Sequence, residues 1–262
     1  MSQQTEPAPE ATERAIGIFL YGVVPSDVEP TEDARGIGEP PGKVSLISQG
    51  EIGALISEVP LDRPLGRPAE LRTYERLLDG TAVVAPVLPV RFGAVLTDAD
   101  AVRDLLETYH DEFLAALNEL EGRIEYAVRG RYVERVLLTE VLEENAEVQR
   151  LRDQIRDQPE ELTVNLRMRL GEIVNQAVEL KRNNDTQRVV DVLAPLSEQV
   201  VIRPATHEED AANVALLVRT ERREEVEDAV RRLAEEWSER VTVRLLGPLA
   251  PYDFVAPLEP GT

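Results

Sequence analysis

Apolar and polar positions along the 262 residues fall into blocks of two periods, one near two residues and one near three and a half. Residues 15–24, AIGIFLYGVV, are apolar on both faces and predict a central strand. The run PSDVEPTEDARGIGEPPGK at 25–43 is rich in Pro, Gly and acid and predicts an exposed loop. Two apolar runs then flank Gln49-Gly50-Glu51, as in a hairpin spanning 44–60. Residues 67–80 predict a short helix that can extend to Ala85, and PVLPVRFGAVL at 86–96 predicts a strand entered through Pro86 and Pro89. Thr97-Asp98-Ala99-Asp100 opens a helix whose stripe runs through Val102, Leu105, Leu106, Tyr109, Phe113, Leu117 and Leu120, with Gly122 as its stop. Ile124, Tyr126 and Val128 alternate in the strand that follows.

From Thr139 the longer period takes over. Val141, Val148, Leu151 and Ile155 form one seam, broken at Asp157 and Pro159. A second helix carries Leu162, Leu166, Leu170, Ile173, Ala177 and Leu180. Asn183-Asn184-Asp185 predicts a turn and cap before a third helical segment at 186–199. The end returns to strands at 199–204, 213–219 and 240–246, around a helix capped by Thr220 with Val226, Ala229, Val230, Leu233 and Trp237 on one face.

These elements predict an α+β fold of two ferredoxin-like domains, the second with an appended or intervening antiparallel, coiled-coil-like helical segment. Residues 1–14 read as a disordered tail and 15–135 as the N-terminal domain. Residues 136–257 read as the C-terminal domain: a helical segment at 139–199, a ββαβ part at 199–246 and an apolar tail at 247–257. Strand 87–96, helix 98–121 and strand 123–129 echo strand 213–219, helix 221–238 and strand 240–246, so each triplet predicts half of a ferredoxin-like unit.

Charge narrows the function classes. Fifty acidic and 29 basic side chains give −21, which disfavours nucleic acid as a partner. Only Lys43 and Lys181 are lysine. A carboxylate-rich, lysine-poor surface suits a very saline cytoplasm, where self-repulsion is screened; a GC-rich genome with an ordinary acidic protein is the other reading. The chain has no cysteine, which leaves no thiolate ligand or nucleophile. No run of about 20 apolar residues predicts a membrane helix, and the first residues do not read as a secretory signal.

Catalytic and metal-binding sets are thin. The only histidines are His110, on a charged helix, and His207, before Glu208-Glu209-Asp210 in a loop. His207 reads as a surface residue rather than a ligand. There is no phosphate-binding glycine loop and no nucleophile elbow. No catalytic residue, cofactor or metal site is therefore expected.

Two apolar motifs remain. In LPVRFGAV (88–95), Arg91 sits in an apolar strand before Phe92 and Gly93, either paired in the interior or reaching to water from an edge. In GPLAPYDFV (247–255), Gly247-Pro248 ends the last strand, and Pro251, Tyr252 and Phe254 follow as an apolar tail. The tail either packs back on its own domain, the favoured reading, or offers aromatic anchors to a partner.

The order YGVV (21–24), LPVRFG, an amphipathic helix and a terminal GP-x-x-PY-x-FV resembles the gas vesicle protein F/L family over about residues 15–256. Leu249 stands where members often carry an aromatic. The acidic composition and the length are more similar to a haloarchaeal L-type member than to a short F-type one. The resemblance implies a non-enzymatic accessory protein of gas vesicle assembly, located with the vesicle and in the cytoplasm. Its implied partners are the hydrophobic shell protein GvpA and other accessory gas vesicle proteins, with neither nucleic acid nor membrane. Two alternatives stand beside it: an integral component of the vesicle wall, and an enzyme or small-ligand sensor using an interdomain cleft.

Overall fold

A computed structural model describes residues 15–256, in two compact units that meet in the chain between Glu119 and Leu120. The expected tail at 1–14 lies outside the described residues. The fold is α+β, with one antiparallel sheet in each unit.

In the first unit, the doubly apolar run forms β1 (Ile16–Pro25), buried on both faces. It pairs antiparallel with β3 (Ile52–Pro60), which forms the expected hairpin with β2 (Ser45–Gln49). Gly50 makes the turn at φ +60°, where glycine has no Cβ to clash. The other side of β1 pairs with two short pieces rather than one strand, β4 (Leu88–Pro89) and β5 (Val95–Leu96). Pro89 has no N–H to continue a ladder, and Gly93 turns the chain at φ +99° between the two pieces.

Helix α1 (Pro68–Ala82) starts with proline in its first turn. The buried Glu70 carboxylate accepts from the N–H groups of Gly66 and Arg67 at 2.9 and 3.0 Å. The single helix expected over 98–121 is two, α2 (Ala99–Thr108) and α3 (His110–Leu120), because Tyr109 leaves helical geometry at φ −111°, ψ 20°. The helix starts at the expected Thr97–Asp100 stretch, but its cap is Asp98, which accepts from Ala101 N–H, rather than Thr97.

The acidic loop 25–43 is not simply exposed. Ile37 is buried, and its N–H donates to the Tyr21 hydroxyl, which also bonds Ser57 Oγ at 2.8 Å. A Cβ on Gly36 would collide with that hydroxyl pair, so the glycine lets the loop lie against the sheet.

In the second unit, strand order is β7 (Gln199–Ile202), β8 (Asp210–Arg219), β6 (Arg123–Tyr132), β9 (Val241–Leu249), all antiparallel. Chain order β6-helices-β7-β8-helix-β9 makes this a ferredoxin-like βαββαβ unit. Strand β6, expected to close the first domain, is an inner strand here, paired on both sides. The triplet 87–129 is therefore not half of one unit. The first sheet instead repeats the second unit's strand order, with β4/β5, β1, β3 and β2 in place of β9, β6, β8 and β7, and loop 26–44 replaces the first crossover helices.

The crossover helices are α4 (Glu134–Glu144), α5 (Ala146–Ile155) and α6 (Glu160–Leu193). The seam from Val141 to Val148 is interrupted by Asn145, whose side chain caps α5. The turn expected at Asn183-Asn184-Asp185 does not occur: α6 runs through it for 34 residues, about 50 Å. Helix α7 (Arg223–Glu236) buries Val226, Ala229, Val230 and Leu233 as its pattern predicts. Tyr126, Val128, Leu216, Val189 and Leu193 join them in one core between the sheet and the helices.

Candidate functional site

The two sequence motifs lie in different units. Arg91 is exposed, in the turn between β4 and β5. Phe92 is half-buried beside Phe19 and Tyr74, with ring centres 5.4 Å from each. Tyr21 stacks on Tyr74, completing an aromatic cluster under β1. The Tyr74 hydroxyl donates to Val90 C=O in the same stretch. LPVRFG thus supplies packing and a turn.

The terminal motif packs on its own unit. Strand β9 does not stop at Gly247-Pro248 but continues to Leu249 past an irregularity in its pairing with β6. At Gly247, φ is +133° and a Cβ would lie 2.7 Å from Tyr126 Cδ1, so both conformation and space require glycine. Pro248, Tyr252 and Phe254 are half-buried, while Ala250 and Pro251 are buried.

Behind this tail lies a charge cluster that the sequence did not reveal. Glu125 is fully buried on β6, and Arg203 donates to it at 2.6 Å. Arg203 also donates to Asp253 of the tail, whose N–H donates to Glu125 Oε2 at 3.1 Å. Burial first, and the Asp253 carboxylate beside it, push the Glu125 carboxyl up to about 8. Hydrogen bonds from Arg203 and Glu125 hold Asp253 below its usual value despite partial burial. Strand alternation marked Glu125 only as an outward polar position; its neighbours come from residues 78 and 128 positions away.

A concavity of this unit runs along α6. It encloses about 900 Å³ between α4, α6 and the loop at 203–209. Leu137, Leu138, Val174 and Val178 supply apolar lining, and Gly171 keeps its middle open, with no atom within 4 Å of where a Cβ would stand. Leu138 is 46% exposed there. Its polar rim holds Arg131, Glu134, His207 and Glu208. Arg182 fixes the loop by donating to the carbonyls of Asp210 and Glu208, both at 2.7 Å. Further along α6, Leu162 and Met168 are exposed.

His207 reaches this rim, but among the described residues no group of three or more His, Asp or Glu side chains is arranged to hold a metal ion. His110 sits in the first unit, 3.1 Å from Asp111 and 3.7 Å from Glu51. No helix of the described residues is long and apolar enough to cross a membrane.

Two antiparallel sheets, a long helix and an apolar groove define an α+β protein. Comparison with known proteins gives the family. The model of gas vesicle synthesis protein GvpL/GvpF matches residues 17–256, and the chain belongs to that family. It is 31% identical over 245 residues to gas vesicle protein F of a Streptomyces strain, covering 92% of this chain and all of that one. Gas vesicle protein L of the same strain is 34% identical over 125 residues, 42% of this chain and 46% of that one. The crystal structure of GvpF from Anabaena superposes with a TM-score of 0.76 at 23% identity, over 93% of this chain and 99% of that one, which establishes the shared fold.

Proposed function

We propose that the chain is an accessory protein of gas vesicle assembly that binds the hydrophobic shell protein GvpA and other accessory gas vesicle proteins without chemical turnover. In this reading it works in the cytoplasm and at the growing vesicle. The carrying observation is the apolar groove on α4 and α6, with Leu138 exposed and Val174 half-buried, on a chain of net charge −21. An amphipathic helix of the shell protein would lay its apolar face along this groove. The surrounding carboxylates would keep the complex dispersed, limiting shell-protein aggregation.

The test is co-purification of the full chain with the shell protein, comparing wild type with Leu138→Asp and Val174→Asp. Capture by wild type and its loss in both variants supports the reading; equal capture by all three sinks it. Retention on salt-washed vesicles would favour an integral wall component instead.

A further inference from the structure

The face of the second sheet turned away from its helices carries a pattern that the groove does not use. Alternate residues of β6 point to this face: Glu125, Ala127, Arg129 and Arg131. The register continues each across the neighbouring strands. Arg129 stands opposite Arg244 of β9 on one side and Asn213 of β8 on the other. One step further, Arg131 stands opposite Thr242 and Asp210. The face is thus basic at one end, while the next row the other way is Leu246, Ala127 and Ala215.

Directly opposed like charges on a sheet destabilise it, and a guanidinium cannot shed its proton to escape the repulsion. In a chain with 50 acidic residues, a carboxylate beside this pair would be the expected remedy. None is supplied. Among the described residues, the side chains of Arg129 and Arg244 have neither an ion pair nor a hydrogen bond, and both residues are exposed. Asp210, which also lines the space beside them, has its Oδ2 held by the N–H groups of Thr206 and His207 and the Thr206 hydroxyl, at 2.7–2.9 Å. Glu209 reaches only Arg131, at 3.9 Å.

The two arginines line a cavity of about 360 Å³ between the strands and the 206–210 loop. Asn213, 6% exposed, lines the same cavity, with an Oδ1 atom that has no hydrogen-bond partner. A buried acceptor left unsatisfied is costly, and only a donor can meet it, such as a backbone N–H of an extended peptide, not a carboxylate. Two adjacent guanidinium forks match the two oxygens of a carboxylate.

We propose that this cavity is a carboxylate-binding site that receives an acidic, extended segment of a partner protein. Continuity favours a protein segment over a free anion: Arg131, Thr206 and His207 line both this cavity and the groove on α6, so one chain can follow both around the 203–209 loop. The inference does not depend on the identity of the groove's occupant.

The test is fluorescence anisotropy of the full-length protein with a short labelled Glu-Ser repeat peptide at low salt, with a Lys-Ser peptide, inorganic phosphate and an Arg231→Ala protein as comparisons. The Glu-Ser peptide should bind, Arg129→Ala and Arg244→Ala should each weaken it at least about tenfold, and Arg231→Ala should not. Because the arginines repel each other, both variants should melt at or above the wild-type temperature, which separates lost binding from lost folding. Absence of peptide binding, or binding that survives both substitutions, overturns the proposal. Phosphate that binds at the arginines while the peptide does not would assign a small-ion site and overturn the protein segment.

Discussion

Arg240, at the entrance to β9, grips both oxygens of Asp185 on α6, at 2.9 and 2.7 Å. Its Nε donates to both oxygens of Glu140 on α4, at 2.9 and 3.1 Å, and its guanidinium lies 5.4 Å from the ring centre of Tyr132 on β6. Lys181 extends the network to Glu140 and Glu144, at 3.0 and 2.8 Å. One arginine thus ties two crossover helices to two strands. The same contact explains why α6 passes through Asn183-Asn184-Asp185: Asp185 is held from outside the helix instead of capping one.

Asp185→Ala should therefore cost about 2–4 kcal/mol in urea unfolding, since it leaves Nη1 and Nη2 of the partly buried Arg240 and the Tyr132 hydroxyl without their acceptor. Asp185→Asn keeps the shape and one acceptor and should cost less. Equal stability of the alanine variant and wild type would mean that the network adds nothing.

Glu125 predicts a slope of stability with pH. Its folded-state pKa, about 8, lies above the ordinary value of 4.5, so the folded protein holds an extra proton between the two. The stability this group contributes is complete below about pH 4.5 and is lost as pH rises through about 8. Asp253, held low, acts in the opposite sense and loses its contribution only as pH falls through its lowered pKa. Glu125→Gln should flatten the decline between pH 5 and pH 8 in denaturant titrations. An unchanged slope would place the titrating group elsewhere.

Ending the chain after Leu249 should lower the melting temperature by several degrees, on the order of the effect of 1–2 kcal/mol in a domain of this size. The truncation uncovers the site filled by Ala250 and Pro251 and leaves Arg203 and Glu125 without Asp253. Asp253→Asn in the full chain should show a smaller loss. A truncated protein as stable as the full one would show that the tail's role lies in binding.

The net charge of −21 predicts a higher melting temperature in molar salt than in dilute buffer, because screening shortens the reach of carboxylate repulsion to about 3 Å. Exposed ion pairs such as Arg223–Glu227, at 2.7 Å, weaken in salt and oppose the trend only slightly. A melting point that falls with salt would remove the argument from composition.

By itself the sequence determined the elements whose evidence is local. The doubly apolar run around Phe19 and Leu20 became a buried inner strand, Gly50 the hairpin turn, the Thr97–Asp100 stretch a helix start and the Val226–Leu233 stripe the buried face of α7. The family also left its trace in two short motifs. Tertiary structure decided what depends on residues far apart in the chain. It gave β6 to the second sheet, because pairing partners at 210–219 and 241–249 lie far along the chain and leave no local mark. It carried α6 through an apparent turn, because Arg240 and Tyr132 supply contacts that outweigh the preference of Asn and Asp for ending helices. It also brought Glu125 beside Arg203 and Asp253, and Arg129 beside Arg244, since strand alternation names the face a side chain points to but not the neighbours that meet it there.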